Sequence, residues 1–118
     1  MKRPILVSLL LALSVFLGGC HSCENDISNS IVSPAGKLKV VVFNRSCGAT
    51  TGFSTQVSII PTSSSLLEDS GNILILDGAI PLKVVWWSDA ELHVSGLGSA
   101  KVFKRAASVP DVLIRYDR

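Results

Sequence analysis

Beyond residue 32 the chain never sustains an apolar stripe at helical spacing. Its apolar residues come in short β-branched or alternating runs, cut by Pro, Gly, Asn and Asp. An amphipathic helix needs apolar side chains at i, i+3, i+4 and i+7 to bury one face, and no window there supplies them. The runs Leu38–Phe43, Ser54–Ile60, Asn72–Leu76, Lys83–Trp87, Glu91–Val94, Ala100–Lys104 and Val112–Tyr116 read as strands. Between them lie turn sequences such as Ser33-Pro34-Ala35-Gly36-Lys37, where Pro sets one φ and Gly supplies a left-handed position. Six or seven short strands predict an all-β fold, either a small antiparallel sandwich or a partly open barrel.

The N-terminus obeys a different pattern. Lys2 and Arg3 precede an apolar run from Ile5 to Leu17, and small residues follow. That order is a signal peptide, and the run is shorter than the ~20 residues that a permanent transmembrane helix needs. The tetrapeptide Leu17-Gly18-Gly19-Cys20 resembles the lipobox of bacterial lipoproteins. The resemblance implies that residues 1–19 are cleaved and that Cys20 is acylated, as by palmitate, to become the first residue of the mature chain. Several acyl chains on one residue give stable membrane attachment. His21 and Ser22 follow Cys20, with no aspartate of the kind that marks retention at an inner membrane. The expected location is a membrane of the cell envelope, the periplasmic face of the outer membrane where there is one.

Removing the leader changes the charge. The full chain of 118 residues carries 11 basic and 9 acidic side chains. Lys2 and Arg3 leave with the leader, so the mature chain is formally neutral and shows no clustered basic face for nucleic acid. The remaining 99 residues suffice for one domain with one core. Residues 20–32 are polar and aperiodic and read as a lipidated tether, and residues 33–118 read as the β-domain.

Of the three cysteines, assigning Cys20 to lipid leaves Cys23 and Cys47 as a pair. In an oxidising compartment the default for such a pair is a disulfide, closing a loop worth about 3 kcal/mol in the chain-entropy model. Two free thiols or a metal pair is the alternative, but no C-x-x-C or His-rich spacing accompanies them.

The stretch from Arg45 to Ser58 is dense in hydroxyls and contains the run C-G-A-T-T-G-F-S-T-Q-V-S, from Cys47 to Ser58. This run resembles the signature of a family of small bacterial exported proteins and lipoproteins whose domain has no assigned function. The Ser-Pro-x-Gly-Lys turn and the Trp86–Val94 hairpin are similar to that family too, so the likeness spans about residues 23–116. The turn carries Ala35 where the family tends to have Asp, which speaks against a cation there. It is also superficially similar to β-propeller blades, but one blade cannot close a ring.

Two readings of the signature loop stand side by side. In one, Cys47 ties the loop down and its hydroxyls satisfy the local backbone. In the other, the hydroxyls of Thr50, Thr51, Ser54 and Thr55, with Arg45 and Gln56, form a neutral patch for a glycan, peptide or protein. Trp86 and Trp87 add to the second reading, because adjacent strand residues point to opposite faces. If one ring enters the core, Trp87 faces outward as a contact residue; alternatively both rings are covered.

Catalytic chemistry has little to work with. The Gly48–Gly52 spacing is too short for a phosphate loop and lacks the following Lys-Ser/Thr. A Ser or Cys nucleophile needs a histidine base, and the mature chain offers only His21 and His93. Alternation between Leu92 and Val94 places His93 on a solvated face beside Glu91. The carboxylates Asp77, Asp89 and Asp111 sit at turns, where Asp serves the backbone. The expectation is a membrane-anchored, non-catalytic binding module without cofactor or metal, its partner an envelope glycan or protein. The alternative is an inhibitor of a lytic enzyme or protease that attacks the envelope.

Overall fold

The structure, a computed structural model, describes residues 23–48, 52–66 and 68–118. Nine strands build it, with no helix among the described residues. They are β1 (Glu24–Val32), β2 (Leu38–Ser46), β3 (Ser54–Pro61), β4 (Leu74–Asp77), β5 (Lys83–Ser88), β6 (Glu91–Ser95), β7 (Val102–Arg105), β8 (Ser108–Val109) and β9 (Val112–Tyr116). Five form one sheet in the order β1-β2-β3-β4-β7, and four form a second in the order β5-β6-β9-β8. Pairing is antiparallel throughout except between β6 and β9, which run parallel. The fold is a small β-sandwich and not a closed barrel.

The core lies between the sheets. Val40, Val42, Val57, Ile59, Leu74 and Leu76 point into it from the larger sheet, and Val84, Leu92, Val94, Val112 and Ile114 from the smaller. These are the alternate positions of the runs seen in the sequence, as a period of two requires. Trp86 joins this side, packed on the core with its indole N–H donating to the Ile31 carbonyl at 3.0 Å.

One expectation is corrected. Residues 24–32, read as part of a tether, form β1 and pair with β2 from Glu24↔Ser46 to Val32↔Lys39. Main-chain hydrogen bonds need no apolar pattern to form this pairing, and an edge strand can be polar on both faces. A bulge between Ile27 and Asn29 also breaks the alternation. Ile27 therefore sits opposite Phe43 on the outer face, whereas Ile31 sits opposite Val40 and packs on the core. Without that bulge the two isoleucines would share a face.

A disulfide joins Cys23, just before β1, to Cys47, just after β2. It closes the open end of the β1–β2 hairpin beside its last pair, Glu24↔Ser46. The other end is the predicted turn. Gly36 has φ +80°, its N–H donates to the Ser33 carbonyl, and the Leu38 N–H donates to Ser33 Oγ. Asp89, in the β5–β6 turn, accepts from the Ala35 N–H at 2.7 Å and so ties the two sheets together at this end.

Candidate functional site

The outer face of the smaller sheet carries an aromatic and charged cluster. Cross-strand register lines up Val85 with His93 and His93 with Arg115, while Glu91 lies opposite Leu113. Their neighbours Val84, Leu92, Val94, Val112 and Ile114 face the core. Alternation therefore leaves Val85, Glu91, His93, Leu113 and Arg115 outside. Val85 and Leu113 are 40% and 42% exposed, so an apolar floor runs through the charged groups.

Trp87 completes the face from an unusual position. The register slips between Trp86 and Ser88, so Trp87 is the extra residue of a β-bulge, a device that re-aims a side chain at a sheet edge. Its indole lies flat on the His93 imidazole, with ring centroids 3.5 Å apart and planes at 7°. Even so it is 67% exposed. One face of the ring rests on histidine and the other is open to solvent, the geometry of a stacking platform.

The platform is braced from below. His93 Nε2 and Glu91 Oε2 are 3.0 Å apart, and Arg115 Nε donates to Glu91 Oε1 at 3.2 Å. The hydrogen bond with His93 and then that with Arg115 hold the Glu91 carboxyl below its ordinary pKa. Glu91 is therefore an anion at neutral pH and orients both partners. This arrangement fixes ring positions, and its histidine is shared between a carboxylate and an indole. Among the described residues no three His, Cys, Asp or Glu side chains are grouped to hold a metal ion.

The residues of the signature run have other occupations. Gln56 is buried, and its Oε1 accepts from the Gly71 N–H at 2.6 Å while its Nε2 donates to Ser54 Oγ at 2.8 Å. Arg45 Nη1 donates to Asn25 Oδ1 and to the Glu68 carbonyl, both at 2.8 Å. The Asn72 N–H donates to Ser58 Oγ, and its side chain bonds both the N–H and the carbonyl of Ile59. Together these bonds fasten the β3–β4 connection onto the outer face of β2 and β3. Val41 and Phe43 lie on that face and are buried.

Arg45, Ser54 and Gln56 thus stand together on the larger sheet, while Trp87 stands apart from them on the smaller one. Thr50, Thr51 and Cys20 lie outside the described residues. Thr55, one of the hydroxyls of the patch reading, is only 1% exposed and serves the backbone instead: it donates to the Gly78 carbonyl and accepts from the Ile80 N–H, both at 2.7 Å. Sequence reasoning missed Arg115 and the stacking role of His93. Alternation put His93 on the right face, but nothing local shows that Arg115 arrives beside it through a parallel pairing.

No family model matches the chain, and neither a curated protein nor a solved structure is detectably similar to it.

Proposed function

We propose that the protein is a non-catalytic binding module of the bacterial cell envelope, lipid-anchored through Cys20, whose ligand is an envelope glycan. The observation that carries this reading is Trp87, two-thirds exposed yet stacked flat on His93. Exposed tryptophans are enriched at contact surfaces, and sugar rings present flat C–H faces to such indoles. Glu91 and Arg115 beside it supply an acceptor and donors for hydroxyl groups. Support for the anchor is the Leu17–Cys20 tetrapeptide at the end of the apolar N-terminal run.

Co-sedimentation with purified cell-wall sacculi tests the reading. The full chain should sediment with them, and Trp87→Ala should weaken retention about thirtyfold, the equivalent of a ~2 kcal/mol contact residue. Equal retention of the variant removes the platform from the binding surface. In the same cells Cys20→Ala should move the protein from the membrane to the soluble fraction.

A further inference from the structure

The C-terminal end of β9 meets the end of β7, the edge strand of the larger sheet, where Arg105 lies over the Tyr116 ring and the Tyr116 hydroxyl donates to the Ala106 carbonyl. Two adjoining depressions, of about 380 and 330 Å³, lie along this rim and share Arg105, Tyr116 and Asp117. The first also takes in His93 and Arg115, and the second takes in Arg118. His93 is therefore common to the Trp87 platform and to the rim groove.

The groove is cationic. Its lining carries Arg105, Arg115 and Arg118 against Asp117, with Glu91 paired to Arg115 at its border. The Arg105 guanidinium sits over the Tyr116 ring, 4.7 Å from its centroid. Neither Arg105 nor Arg118 forms an ion pair among the described residues. Arg115 spends its Nε on Glu91, and its side chain remains 60% exposed. Arginine held on an aromatic face keeps its fork of N–H donors available for a carboxylate or phosphate. Asp117 lines both depressions, so an acidic residue stands beside these donors and can offer an acceptor. A bare anion has no use for that acceptor, whereas a ligand with hydroxyl groups beside its negative charge does.

We infer that the rim groove binds an acidic saccharide, with Arg105 and Arg115 taking its anionic group, Asp117 accepting from its hydroxyls and the Trp87–His93 stack covering the adjoining sugar face. The inference rests on the reading of Trp87 as a sugar platform and adds the charge of the ligand. Screening by salt belongs to such a contact and not to stacking.

The test is calorimetric titration of the full chain in detergent with tetragalacturonate, its methyl ester and inorganic phosphate, together with sedimentation on phosphatidylglycerol vesicles. Tetragalacturonate should bind at least tenfold more tightly than the ester, and 0.5 M NaCl should remove most of that advantage. Arg105→Gln with Arg115→Gln should bring the two ligands level, while Trp87→Ala should weaken both. Far-ultraviolet circular dichroism verifies that each variant is folded, and Arg115→Lys, which keeps the charge, should retain part of the preference. Equal binding of acid and ester by the wild type overturns the anionic groove and leaves the platform intact. Insensitivity of both ligands to Trp87→Ala instead overturns the platform. Phosphate binding as tightly as the oligosaccharide, vesicle binding in place of it, or no saccharide binding at all overturns the inference.

Discussion

At the scale of single residues the polar side chains of β3 hold the molecule together from inside. Gln56 occupies a position that alternation assigns away from the core, and a polar residue there reads as a solvent or ligand contact. It is instead 4% exposed, because the β3–β4 connection folds over it and delivers the Gly71 N–H to its carbonyl oxygen. Gly71 allows the approach: a Cβ there would stand 2.8 Å from the carbonyl oxygens of both Leu74 and Val57. Replacing Gln56 by Leu preserves bulk but strands a buried N–H, which costs about 1–3 kcal/mol. Urea denaturation should show that loss, whereas Gln56→Glu, which keeps an acceptor, should lose less. A wild-type midpoint for Gln56→Leu would mean that water reaches Gly71. The covering segment is polar and aperiodic, so nothing in the sequence announces that it closes on Phe43.

At the scale of elements, legibility followed local periodicity. Seven strands were readable because each is a β-branched or alternating run bounded by turn residues, and Val112–Tyr116 has the bounds expected of it. The other two strands carry no such signal. β8 is a two-residue strand completed by its hairpin with β9, and β1 is an edge strand whose bulge moves Ile27 and Ile31 to opposite faces. Periodicity is blind to a strand held by its main chain and by a disulfide. The site divides in the same way. The outward turn of Trp87 and the shared face of Glu91 and His93 follow from alternation. The approach of Arg115 depends on the β6–β9 register, and no segment of sequence encodes that by itself. If the disulfide is what makes β1 an element, Cys23→Ser with Cys47→Ser should cost about 3 kcal/mol. Hydrogen exchange should then rise selectively in Glu24–Ile27 and in Asn44–Ser46, the pairs nearest the staple. Uniform acceleration across both sheets would show that the bond stabilises the whole sandwich and not the hairpin end.

At the scale of the whole molecule one side chain reports on the contact between the layers. Tyr116 belongs to β9 of the smaller sheet, and its hydroxyl donates to the Ala106 carbonyl at 2.7 Å, just beyond β7 of the larger sheet. Burial of the phenol pushes its pKa up from 10.0 to about 12, against the opposing pull of the Arg105 guanidinium. Ionisation removes the donated proton and places a charge in a half-buried site, so the native state resists it. A group whose folded pKa lies above its unfolded value stabilises the fold fully below the unfolded value. That contribution is therefore complete below about pH 10 and is withdrawn as pH rises through about 12. At the acid end Glu91, held below its ordinary value of 4.5, acts in the opposite sense: its contribution is present above that value and is lost as pH falls through the lowered one. Because Tyr116 is the only tyrosine, phenolate absorbance near 295 nm reports this residue alone. The native titration should have its midpoint near pH 12, and in urea it should return to about 10. Tyr116→Phe should abolish the signal and flatten the decline in stability on the alkaline side while leaving the acid side, set by Glu91, unchanged. A native midpoint near 10 would place the phenol in solvent and detach the end of β9 from the segment after β7.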